Sequence, residues 1–422
     1  MNPPQTSSVV AVLRTITHLL PHRFQRRRKL GPWQILMLHL LSLANDNRPG
    51  MKRLLERFVD QFRDDLLYDE PPSSGALSRA RGKLTLDELK ACITQAGEAA
   101  SAAREKSSHW RPGLRLIGID CVRANLRRTQ ALIDAFHLPR YGEKPSHYPQ
   151  LMLCTAWDLI AKMPLAWASL PGDGSERDGL KACLAHFKPN DVLVCDRNFP
   201  SAEIFTLIGL KTKFTMRMHA GGSAWTVIKQ FIASGKTEDN VIHHGKDSSV
   251  SFRVVRKDLA DGKPLVIATN LTANELDADG VIDAYGKRWA IESAFAEFKS
   301  TYGLDRITAG TPEILEHEIA ALMLFQIAVA ETTALADAEI QRRDREAGDP
   351  GELRWANRRL AGEICRILLG YVANETPEKF QERYERKFRS LLRFPNRARP
   401  GRSFPRVSKT LYSKWATKAA RP

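Results

Sequence analysis

At 422 residues the chain exceeds one typical core, which predicts two or three domains. A hydrophobic share of 43% with 27% charged residues is that of an ordinary soluble globular protein. The longest apolar run, Ile319 to Ala330, is too short to span a bilayer, and no secretory signal stands at the front, so no membrane role is expected. A net charge of +16 and a pI near 9.7 point to a polyanionic partner, most often nucleic acid.

No acidic residue occurs before Asp46 or after Glu385, so both ends are purely basic: Arg26 to Lys29 in front, and Arg393 to Lys418 behind. Up to about residue 110 the pattern is helical. Pro32-Trp33 opens an apolar helix through Ala44, Met51 to Leu67 is amphipathic, and Ser73 or Ser74 would cap a short basic helix carrying Arg79, Arg81 and Lys83. That segment reads equally as a helix-turn-helix-like reading element or as a linker with a solvated face. Leu86 to Ala99 is a further helix.

From about residue 111 strands and helices alternate. Strands are expected at Leu114 to Asp120, Leu151 to Asp158, Pro164 to Leu170, Asp191 to Asp196 and Lys213 to His219, with helices at Glu176 to Phe187 and Ser201 to Leu210. The first and fourth strands each end in a carboxylate, Asp120 and Asp196. In open α/β sheets, functional groups gather beyond the carboxyl ends of strands. A β-β-β-α-β-α-β order with acids there is the layout of the RNase H-like fold: α/β, a mixed sheet flanked by helices.

Residues 220 to about 264 interrupt the pattern as a β-rich insertion. Its adjacent His243 and His244 would point to opposite faces of a strand and so would not share a metal. Asp283 to Tyr302 then reads as one amphipathic helix. Tyr285, Arg288, Glu292 and Lys299 would lie within an arc of roughly 60°, beside an apolar stripe of Ala284, Ile291, Phe295 and Phe298. The bland reading makes Arg288 and Glu292 an ordinary i,i+4 pair. Helices follow at Pro312 to Leu335, Glu352 to Val372 and Glu378 to Leu392, then the basic tail. The organisation is thus a helical region 1–110, a catalytic domain 111–330 and a helical region 331–422. Six scattered cysteines without a CxxC pair argue against a zinc ribbon or disulfide framework and fit a reducing cytoplasm.

Three carboxylates, Asp120, Asp196 and Glu292, could supply hard oxygen ligands to a two-metal phosphodiester site. Tyr285-x2-Arg288-x3-Glu292-x6-Lys299 resembles the YREK signature of insertion-sequence transposases of the DDE superfamily. Asp196-Arg197-Asn198-Phe199 is similar to that family's Asp-Arg-Gly-aromatic pattern, as are Thr269-Asn270-Leu271 and Ala76 to Leu84 to theirs. The resemblance implies that Asp120, Asp196 and Glu292 bind Mg2+ (or Mn2+). It implies that Tyr285, Arg288, Lys299 and Arg197 contact DNA, and that Trp225 of the insertion could receive a flipped base. It further implies cleavage of double-stranded DNA at terminal inverted repeats, joining to target DNA, and a homodimer across paired ends. The N-terminal helices would recognise ends and the C-terminal helices would dimerise, in the cytoplasm and on the nucleoid of a bacterium. Alternatives are a relative that binds DNA without cutting it and an RNase H-like nuclease without strand joining. Asn198 stands where the pattern has glycine, its tolerance of left-handed backbone making the change acceptable. Cys121 follows Asp120 where many relatives have glycine.

Overall fold

The computed structural model describes residues 30–44, 51–61, 70–102, 110–111, 113–141, 144–245, 249–300, 304, 307–347, 354–369 and 377–397. The basic stretch at Arg26 to Lys29 and the tail beyond Arg397 lie outside them.

Four helices come first: α1 (Pro32–Ala44), α2 (Met51–Gln61), α3 (Ser74–Arg81) and α4 (Leu86–Ala102). The Ser73 hydroxyl caps α3 by accepting from the Ala76 amide at 3.1 Å. Thr85 and Glu88 form a reciprocal capping box at the start of α4. Arg81, expected on a basic face, is instead buried, close to the buried rings of His39 and His317.

The central sheet contains β1 (Arg115–Asn125), β4 (Gln150–Asp158), β5 (Met163–Pro171), β6 (Asp191–Cys195) and β7 (Lys213–Arg217). Between β1 and β4 lie α5 (Gln130–Phe136) and the short hairpin of β2 (Arg140–Tyr141) and β3 (Lys144–Pro145). Helices α6 (Glu176–Cys183) and α7 (Ala202–Gly209) precede β6 and β7 respectively. The spatial order is β5-β4-β1-β6-β7, with β1 antiparallel to β4, β4 antiparallel to β5, and β1, β6 and β7 mutually parallel. Numbered in chain order as five strands this is 3-2-1-4-5, the RNase H-like arrangement. Arg115 fixes the register at the base of the sheet. It donates Nε and Nη2 to the two carboxylate oxygens of buried Asp191, at 2.7 and 2.8 Å, joining the first residues of β1 and β6.

The insertion is not a separate unit. Helix α8 (Thr226–Ala233) leads into β8 (Glu238–His244), β9 (Ser249–Asp258) and β10 (Pro264–Thr269). β10 pairs antiparallel with β7, so the sheet runs on unbroken to eight strands, ending β7-β10-β9-β8. Helix α8 escaped the sequence reading because it starts without a side-chain cap and is rich in β-branched residues.

Side chains alternate across the sheet into two cores. Leu116, Val122, Val192 and Val194 face one, and Ile117, Ile119, Leu193 and Cys195 face the other. The first core is shared by α1, α4 and the later helices α9 (Ala278–Gly286), α10 (Trp289–Ser300) and α11 (Pro312–Glu346). The remaining elements are β11 (Arg354–Trp355), α12 (Arg358–Leu369), α13 (Pro377–Arg393) and β12 (Asn396–Arg397). Helix α11 is long and apolar enough to cross a membrane by composition, but most of its apolar stretch is buried inside the protein. It also runs through residue 330, where a domain boundary is expected, and packs against α1, α4 and α12.

Two expectations near the carboxylates need correction. Strand β1 does not end at Asp120 but continues to Asn125, because Cys121 to Asn125 pair with Gln150 to Cys154 of β4. The helix expected over Asp283 to Tyr302 is two helices, broken after Gly286. Across the break Arg288, Ala290 and Ile291 donate to carbonyls three residues back, a 3-10 turn rather than an α turn.

Candidate active site

Residues Ile119 and Cys195 are register partners on parallel strands, so the next residues, Asp120 and Asp196, stand side by side. Both belong to the even-numbered set that faces the first core. Neighbouring strands lie about 4.8 Å apart, which brings the two carboxylates into the same small space. Helix α10 crosses this face of β1. Gly118 makes the close crossing feasible, since a Cβ there would meet Leu159 Cδ2 at 2.6 Å and Ile291 Cδ1 at 3.5 Å. Ile291 is fully buried against the sheet, and the next residue, Glu292, is thereby carried toward Asp120. Gly118→Ala is expected to lower stability by about 1–3 kcal/mol through overpacking. A thermal melt that matches wild type would show that the crossing has slack.

Arg288 joins the acids. Its Nη2 donates to Glu292 Oε1 at 2.5 Å and its Nη1 to Asp120 Oδ2 at 3.4 Å. The side chain is only 13% exposed, and the guanidinium lies 5.8 Å from the Tyr285 ring centre. Burial works against its charge, but Tyr285, Glu292 and Asp120 together hold the guanidinium pKa above its ordinary value. Tyr285 itself is buried in the first core, so it does not share an exposed arc with Arg288 and Glu292. A 3-10 turn advances about 120° per residue rather than 100°, which turns Tyr285 out of phase with the acidic face. Lys299 falls in α10, and its side chain lies outside the described residues.

Burial pushes the Asp120 carboxyl up to about 6, with the negative charges of Asp196 and Glu176 adding to the rise. The Cys121 amide, donating to Asp120 Oδ1 at 2.8 Å, and Arg288 oppose it. Asp196 Oδ1 accepts from the Asn198 amide at 2.8 Å, which fixes its carboxylate at the head of the following loop. Asn198 does not adopt left-handed backbone, so its role differs from the one expected. Its Nδ2 donates instead to Glu176 Oε2 at 3.4 Å. Arg177 then ties down the same loop through the carbonyls of Phe199 and Pro200, at 3.1 and 2.9 Å. Arg197 is exposed beside the acids.

Glu176 is the residue that sequence reasoning missed. It opens α6 after the Ser175 cap, where an acid is ordinarily explained by the helix dipole. Only the tertiary structure places it near Asp120, with Arg123 at 4.0 Å as a weak counter-charge.

Trp225 is not brought to the carboxylates. It stacks on His243, with ring centres 3.8 Å apart and an interplanar angle of 13°, and meets Phe205 and Phe252 edge-on. His243 lies on β8, four strands from β6, a lateral separation of roughly 19 Å. His244 turns away to Ser249.

Among the described residues no group of three or more His, Cys, Asp or Glu side chains is poised to hold a metal ion. The donor chemistry still suits a hard divalent cation. Two adjacent carboxylates, one raised partly by the other's charge, already attract a cation, and the guanidinium of Arg288 fills that role between Asp120 and Glu292.

Comparison with known proteins adds a family. Residues 125–326 match the family model described as the transposase DDE domain. The match begins beyond Asp120 and includes Asp196 and Glu292. No curated protein matches the chain. Among solved structures it is similar to a piggyBac transposase synaptic complex with hairpin DNA, at a TM-score of 0.43 and 10% identity, covering 95% of this chain and 89% of that one. Over residues 125–326, then, the chain is similar to the transposase DDE domain.

Proposed function

We propose that this chain is a transposase that cleaves double-stranded DNA at the terminal inverted repeats of a mobile element and joins the freed 3′ ends to target DNA. The observation that carries the reading is the register pair Ile119–Cys195, which sets Asp120 and Asp196 side by side under the helix that presents Glu292. These three carboxylates would hold Mg2+ (or Mn2+). When bound, a pair of such ions activates a water or 3′-hydroxyl and stabilises the leaving oxygen. The chain's own residues do the rest. Asp196 is pre-oriented by the Asn198 amide, and Asp120 by the Cys121 amide. Arg288 would turn from the carboxylates to a DNA phosphate, with Arg197 and Lys299 alongside. We assign end recognition to the N-terminal helices and dimerisation to the C-terminal ones, with the protein acting in the bacterial cytoplasm on nucleoid DNA.

The test is incubation of the full chain with Mg2+ and duplexes carrying the element's own ends. Wild type is expected to give cleaved and joined products, and Glu292→Gln to lose both by at least about 10³-fold. Cleavage without any joined product would favour a plain nuclease, and an active Glu292→Gln would remove Glu292 from the site.

A further inference from the structure

Antiparallel neighbours can be joined by a two-residue turn. The connection between β1 and β4 instead takes 24 residues, Leu126 to Pro149. With a helix and a hairpin of its own, this connection is an addition to the sheet and not a turn. This one is rooted rather than loose. Leu126, Leu132 and Phe136 are buried in the first core, and the Thr129 hydroxyl donates to the Gly310 carbonyl at 2.7 Å, just ahead of α11. The Leu126 amide bonds Pro149 at its base, and the Ser146 amide bonds the Pro139 carbonyl at 2.8 Å.

The charge of this arm is concentrated. Residues 126 to 149 hold four cations against two acids, Asp134 and Glu143, a net +2 where the chain average would give about +1. Of the cations, Arg127, Arg140 and Lys144 are exposed and have no acidic partner among the described residues. Asp134 is engaged by Gln130 at 2.7 Å. The arm's position follows from β1, which runs five residues past Asp120 before the arm begins. At about 3.3 Å per residue the base of the arm, with Arg127, starts roughly 17 Å from the carboxylates, on their carboxyl-end side. One turn of duplex is about 34 Å, so DNA entering the carboxylate site would pass the arm within about half a turn.

We infer that the β1–β4 arm is a backbone-binding surface for duplex DNA, with Arg127, Arg140 and Lys144 on phosphates. The inference rests on the proposed reading only in that the same DNA reaches the carboxylates. Contacts to phosphates carry no sequence information, so this binding would be sequence-independent.

Binding of the full chain to a labelled 40-bp duplex of arbitrary sequence, in EDTA and across 50 to 200 mM salt, tests it. The triple variant Arg127→Ala, Arg140→Ala, Lys144→Ala is expected to bind at least about 10-fold more weakly, with the log–log salt slope reduced by about 2 to 3. A control losing equal charge elsewhere, Lys211→Ala, Lys229→Ala, Lys257→Ala, is expected to stay within about twofold. Arg127→Lys with Arg140→Lys should retain most of the binding and the slope, which separates lost charge from lost fold. An unchanged slope in the arm variant, or an equal loss in the control, overturns the inference. Because EDTA removes any cleavage, arm-dependent binding by a chain that never cuts with Mg2+ would overturn the proposed function and leave the arm standing.

Discussion

Asp120→Asn is expected to make the protein more stable at pH 7 while abolishing cleavage. Burial and the neighbouring Asp196 raise the Asp120 carboxyl to about 6, above the value of an unfolded aspartate. The folded state therefore binds more protons than the unfolded state between about pH 4 and 6. Stability from this group is fully present below that window and is lost as pH rises through it. At neutral pH the ionised Asp120 then costs up to about 3 kcal/mol, a figure reduced by its 20% exposure. Asparagine removes the charge yet keeps an oxygen for the Cys121 amide. The gain in melting temperature should shrink as pH is lowered from 7 to 4, where wild-type Asp120 becomes neutral as well. The buried histidines His39 and His317, both held neutral by burial, titrate equally in the two proteins and cancel from the difference. A variant less stable than wild type at pH 7 would mean that the contact to Arg288 outweighs the burden of the buried charge.

Arg288→Ala is expected to increase divalent-cation binding in the absence of DNA. The guanidinium and a metal ion compete for the same oxygens of Asp120 and Glu292. Removing it leaves two carboxylates without their counter-charge, so the metal-free protein should melt lower, by a few degrees. The rise in melting temperature on adding Mg2+ or Mn2+ should in turn exceed that of wild type. DNA affinity is expected to fall, since a phosphate ligand is lost with the cation. An equal or smaller metal-induced rise would show that Arg288 does not occupy the position a cation would take.

The strands were legible because buried strands announce themselves. Asp191 to Cys195 is an unbroken apolar run behind one acid, and its span differs from expectation by a single residue. Helix α1 matches the segment expected from Pro32 to Ala44, since proline sets its start. The break at Gly286 was not legible, because the apolar period of Ala284 and Ile291 continues across it and both remain buried. Nor was the partnership of Glu176 with Asn198, which lies in no local pattern and depends on how α6 packs over β4 and β5. The family resemblance offers Trp225 as a base-stacking residue; its stack on His243, on a strand far from the carboxylates, is a tertiary arrangement that no local pattern reveals.

The break within the signature separates two jobs that a single helix would have fused. In a continuous α-helix, any rotation that carries Glu292 toward the sheet also swings Tyr285 and Arg288 as one rigid cylinder. With α9 and α10 joined by a tight turn, the acid can be seated by Ile291 against Gly118 while Tyr285 is seated independently by the core beneath α9. The turn thus separates an anchoring rod from one that carries the acid, and Arg288 sits between them, bonded to Glu292 and Asp120.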